Sequence, residues 1–108
     1  MKSCWNLLNN SKILNLLGLA YRARKVVLGQ EFVLKELAKT PNTVVFLAAD
    51  SGDNIKKKVN DKTKIYDFTL ITQFTAEEIS KAMGKENRRL VLVNDRGFNK
   101  KFREYLNS

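Results

Sequence analysis

A strand that is apolar on both faces leaves few folds open, and residues Thr43 to Ala49 read as one. The run Thr-Val-Val-Phe-Leu-Ala-Ala has no alternation of polar and apolar side chains. Such a strand has to be covered from above and below, which requires helices on either side of a central sheet. The rest of the chain supplies them. Asn10 and Ser11 are capping residues for a helix running to about Arg24, with Ile13, Leu17 and Ala20 on one face and Leu14 and Tyr21 beside it. Lys25 to Leu28 reads as a short strand closed by Gly29. A second helix begins there, carries Val33, Leu34, Leu37 and Ala38 as its apolar stripe, and ends near Thr40-Pro41, because helices rarely pass the residue before proline.

Asp50-Ser51-Gly52-Asp53 forms a turn and helix start, followed by a thin stripe of Ile55 and Val59 between lysines. Phe68 to Thr72 is a third strand. Thr75 and Glu78 form a capping box for a helix bearing Ile79, Ala82 and Met83, which Gly84 stops in the left-handed conformation. Leu90 to Val93 is a fourth strand. Beyond the turn Asn94-Asp95-Arg96-Gly97, the spacing of Phe98, Phe102, Tyr105 and Leu106 predicts an amphipathic closing helix. The order αβαβαβαβα predicts a three-layer α/β/α sandwich formed as a single domain over residues 1–108, with no internal repeat or linker.

Composition narrows the chemistry. Among 108 residues there are 20 Lys plus Arg against 11 Asp plus Glu, a formal charge of +9, with 44% hydrophobic residues. The apolar fraction suffices for a core, which separates the chain from disordered basic tails. The absence of histidine removes Ser/His/Asp and Cys/His machinery and the imidazole ligands of catalytic zinc. Cys4 is the lone cysteine, so neither an intrachain disulfide nor a multi-thiolate metal site is expected, and a reducing, cytoplasmic compartment fits. Asn9, Asn10, Lys12 and Asn15 interrupt the N-terminal apolar stretch, so neither a signal peptide nor a membrane span is expected. The sequence predicts a soluble chain starting at or near Met1. So positive a domain attracts polyanions, with RNA or DNA first and an anionic membrane surface as the rival.

Nucleotide and dinucleotide loops are absent. Gly84-Lys85 is preceded by Ile79 where the phosphate loop needs glycine and followed by Glu86 where it needs Ser or Thr, and the five glycines are scattered. Asp50 and Asp95 each follow a strand, where α/β enzymes often hold catalytic groups, yet both also stand at helix starts, where Asp is a common cap. Cys4 and Trp5 precede the first helix with no base to activate the thiol, and packing against the body is their expected role. Lys56-Lys57-Lys58 reads as a solvated basic face. No catalytic residue, metal or cofactor is therefore expected.

Gly29 to Lys35 is more informative. A helix start presents unpaired N–H groups and the positive end of the macrodipole. Gln30, Glu31 and Lys35 would line its exposed side, opposite the apolar stripe. Amide, carboxylate and ammonium groups suit base edges and phosphates. An ordinary solvated Glu31/Lys35 pair at i, i+4 has equal claim to this spacing.

The ordered set Gly18-Leu19-Ala20, Arg24-Lys25-Val26-Val27-Leu28-Gly29, Lys35, Ala48-Ala49-Asp50, Ile79 with Ala82-Met83-Gly84, and the strand from Leu90 resembles the L-seven-Ae and L-thirty-e ribosomal-protein family. The tail Asn94-Asp95-Arg96-Gly97-Phe98 with Lys100-Lys101 is similar to that of its short bacterial YlxQ-type members. The resemblance spans about residues 11 to 106. It implies binding of kink-turn RNA, a sharply bent duplex, through Gly29, Gln30, Glu31, Phe32 and Lys35 of the second helix and the loop Lys85, Glu86, Asn87, Arg88 and Arg89. By position, Glu31 stands where many members have asparagine and Phe32 where they have glutamate. A phenylalanine cannot accept a hydrogen bond. Either recognition is altered here, or the helix shifts and Glu31 supplies the acceptor.

A single RNA site built from both segments requires the last strand to enter the sheet where the first leaves it. These two strands then run antiparallel, and the four-stranded sheet is mixed. The expected function is that of a monomeric, non-catalytic binder of structured RNA, ribosomal or ribonucleoprotein-associated, without a small-molecule substrate or membrane partner. The alternatives are a basic adaptor of the same fold binding an acidic protein and, from a different class, an enzyme using Asp50 or Asp95.

Overall fold

The computed structural model describes residues 2–86 and 88–107, with side chains over 10–86 and 88–106. Helix α1 (Lys2–Arg22) leads into β1 (Val26–Leu28), α2 (Gln30–Lys39), β2 (Thr43–Leu47), α3 (Asp53–Thr63), β3 (Phe68–Ile71), α4 (Ala76–Met83), β4 (Leu90–Val93) and α5 (Arg96–Asn107). The sheet order is β1-β4-β2-β3, with β4 antiparallel to both neighbours and β2 parallel to β3. The mixed α/β sheet and the element order agree with the sequence reading.

The unalternating run explains the layers. All five residues of β2 are buried. Val44 and Phe46 face α1, α4 and α5, where they meet Ile13, Leu17, Ile79 and Phe102. Val45 and Leu47 face α2 and α3, where they meet Val33, Leu37 and Val59. On the first side the Phe46 ring packs between Phe74, at 6.2 Å between centroids, and Phe102, edge-on at 5.2 Å.

Four local expectations require correction. Helix α1 begins at Lys2, well before Asn10, so Cys4 and Trp5 lie within it instead of ahead of it; their side chains fall outside the described residues. The Asn10 side chain does not cap the helix; its Oδ1 accepts from Gln73 Nε2 at 2.5 Å, and no proline intervenes to stop the helix continuing. Ala38, assigned to the α2 stripe, is exposed, and Val33 and Leu37 carry the burial. Asp50 does not start its own helix, which is capped by Gly52; its carboxylate instead accepts from the Ala76 N–H at 2.9 Å and so caps α4. Asp95 does cap α5, accepting from Phe98 N–H at 3.1 Å.

Candidate nucleic-acid interface

Register places the two segments. Leu28 is paired with Val91, and Leu47 with Leu90. The chain therefore leaves β1 at the same sheet end at which it enters β4, so Gly29 and Arg89 stand at one end. The Ala48 N–H donates to the Arg89 carbonyl at 2.8 Å, which ties the entry to β4 to the exit from β2.

Gly29 is the N-cap of α2 with φ 93° and ψ 133°, a backbone state that side-chain-bearing residues rarely adopt. Its carbonyl accepts the Val33 N–H at 2.9 Å, and no side chain caps the first turn. The leading N–H groups of the helix have no intrahelical acceptor, and they carry the positive end of its dipole. Val33 and Leu37 anchor the helix on the sheet. Glu31, Phe32 and Lys35 consequently face solvent, while Gln30 is half-buried.

The opposing loop is shaped by both ends of α4. At the start, Thr75 Oγ1 accepts from the Glu78 N–H at 3.2 Å, and the Glu78 carboxylate accepts from the Thr75 N–H at 3.1 Å, closing the expected capping box. At the end, Gly84 adopts φ 70°, the left-handed stop. The loop is then latched by Ser80, a residue that the sequence reading missed. Its buried hydroxyl accepts the Arg88 N–H at 2.8 Å and donates to the Arg88 carbonyl at 3.3 Å. A signal for it existed: Ser80 lies next to Ile79 and within one turn of Met83, a polar residue on a buried stripe that needs a partner.

Not every proposed residue converges. Arg89 is exposed at the sheet end, and Arg88 is half-buried beside it, with a buried Nε lacking a hydrogen-bond partner among the described residues. Lys85 points elsewhere, its ammonium 5.8 Å from the centroid of the Tyr21 ring on α1. Glu86 is exposed, and Asn87 lies outside the described residues. Between α4 and the loop runs an open cleft with Lys81, Lys85 and Arg89 on its walls. Among the described residues there is no cluster of three or more metal-ligating side chains and no helix long and apolar enough to cross a membrane.

The chain is thus a small basic α/β/α sandwich with a mixed sheet, whose antiparallel first and last strands bring a helix start and a cationic loop to one end. Comparison with known proteins narrows this. The chain is 37% identical over 98 residues to the RNA-binding protein YlxQ of Enterococcus faecium, covering 91% of this chain and 94% of the relative. It is 41% identical over 83 residues to the RNA-binding protein YlxQ of Bacillus subtilis, covering 77% and 83%. The chain belongs to the YlxQ family. A Bacillus halodurans protein of unknown function superposes with a TM-score of 0.82 at 35% identity, over 90% of this chain and 98% of the other. The Giardia lamblia 15.5 kD RNA-binding protein shares the fold, with a TM-score of 0.67 at 15% identity over 92% and 85%. No protein-family model matches the chain.

Proposed function

We propose that the chain is a non-catalytic, cytoplasmic RNA-binding protein that acts as a monomeric single domain and recognises a kink-turn or similarly bent RNA within a ribosomal or ribonucleoprotein assembly. The observation that carries this reading is the meeting, at one sheet end, of the α2 start, whose first turn no side chain caps, and the Arg88-Arg89 loop. Two phosphate-binding elements so placed match a strand that turns sharply, because N–H groups and guanidinium groups are presented to one short stretch of backbone. The relatives named as RNA-binding proteins support an RNA partner. Asp50 and Asp95, the candidates for catalysis, both serve as helix caps, which gives each carboxylate a structural role.

The test is fluorescence anisotropy with a kink-turn RNA and a continuous duplex of matched composition at physiological salt. The kink-turn RNA is expected to bind at least about tenfold tighter, since the phosphate attraction common to both RNAs carries no shape information. Equal binding to both would reduce the protein to a nonspecific polyanion binder. No binding to either would leave the acidic-protein adaptor as the better reading.

A further inference from the structure

Three large apolar side chains are prominently exposed among the described residues: Leu19, Phe32 and Ile65. An exposed apolar residue is ordinary by itself. Phe32 differs from the other two in being aromatic and in its position. It occupies the first turn of α2, at the sheet end where Gly29 and Arg89 meet. A Cβ on Gly29 would stand 3.3 Å from Phe32 Cδ2, so the ring folds back over the glycine at the mouth of the helix. It nevertheless remains 64% exposed, which leaves it open to a flat partner. Lys35, three residues on along the same helix, is exposed on the adjoining surface.

An open aromatic ring one turn from an exposed lysine, at the sheet end that also carries the exposed Arg89, has the composition of a nucleobase platform, in which cations hold the backbone and the ring takes a base lifted out of its stack. We infer that Phe32 stacks on an unpaired base of the bound RNA, so that this chain reads that position through ring overlap instead of hydrogen bonds to a base edge. The inference rests on the RNA reading above and adds to it the chemical class of the contact. Stacking tolerates any base, because every base has a π face. Phe32 would therefore fix the presence of an unpaired nucleotide and leave its identity loosely specified.

The experiment uses the full chain and the kink-turn RNA with 2-aminopurine placed at each unpaired position in turn, read by fluorescence quenching and anisotropy. Phe32→Leu keeps apolar bulk and removes the ring, and because the site is exposed its thermal midpoint is expected to match that of the wild type. Phe32→Trp keeps a ring. The wild type should quench 2-aminopurine at one position. Phe32→Leu should lose that quenching and bind about tenfold more weakly, and Phe32→Trp should restore both. Replacing the same nucleotide by an abasic one should erase the difference between wild type and Phe32→Leu. Wild-type affinity retained by Phe32→Leu, with quenching intact, overturns the platform alone. Failure of the wild type to bind the RNA at all overturns both the platform and the RNA reading.

Discussion

Gly29 meets two demands at once, a positive φ at the mouth of α2 and room for the Phe32 ring beside it. Alanine there meets the first badly and the second tightly. Gly29→Ala is expected to cost about 1–2 kcal/mol of stability, visible as a lower urea midpoint with an unchanged slope. Lys35 is the opposite case, an exposed side chain across the helix from the buried Val33 and Leu37. Lys35→Ala should leave the thermal midpoint nearly unchanged while weakening kink-turn binding by about 1–3 kcal/mol. The pair Arg88→Ala with Arg89→Ala should weaken it by a similar amount. An equal loss of stability in Lys35→Ala would make the lysine structural. At this scale the sequence was informative about the helix-opening position of Gly29 and the exposure of Lys35, which follow from turn chemistry and helix periodicity. It was less so for Lys85, because nothing local says that its ammonium turns to the Tyr21 ring sixty-four positions earlier.

At the scale of elements, α4 determines where the cationic loop goes. Its capping box and left-handed stop follow from Thr75, Glu78 and Gly84, residues whose chemistry is local, and both were legible beforehand. The long-range pairings that fix it in place were not, although the buried position of Ser80 itself was. Asp50 reaches the Ala76 N–H across twenty-six positions, and Ser80 holds the Arg88 backbone across eight. Long-range caps leave no periodicity in the sequence, which is also why Asn10, a good capping residue, could be read as a helix start when its side chain in fact bonds Gln73. The buried latch yields its own prediction. Ser80→Ala strands the Arg88 N–H without its acceptor and should cost about 1–3 kcal/mol by chemical denaturation. It should also lower RNA affinity, although Ser80 itself is buried. Unchanged affinity would show that the loop keeps its shape without the hydroxyl.

Over the whole molecule, the fold was the most legible level, because a buried β2 with apolar side chains on both faces demands two helical layers, and α1, α4 and α5 on one side and α2 and α3 on the other provide them. The antiparallel pairing of β1 with β4 brings together residues 63 to 67 positions apart. A charge of +9 then acts on the assembled surface. Binding of RNA should weaken linearly in log-log form with salt, by about 0.7 to 0.9 per phosphate neutralised, and a flat plot would exclude a phosphate-led interface. Charge alone does not locate the contact, since Lys57 and Lys58 on α3 are exposed as well. The deciding measurement is therefore the map of backbone amide shifts in the isotope-labelled protein during titration with kink-turn RNA. Shifts concentrated at Gly29 to Lys35 and at Arg88 and Arg89 are the predicted result; shifts along α3 with those two segments unmoved would contradict a single RNA interface at the shared end of β1 and β4.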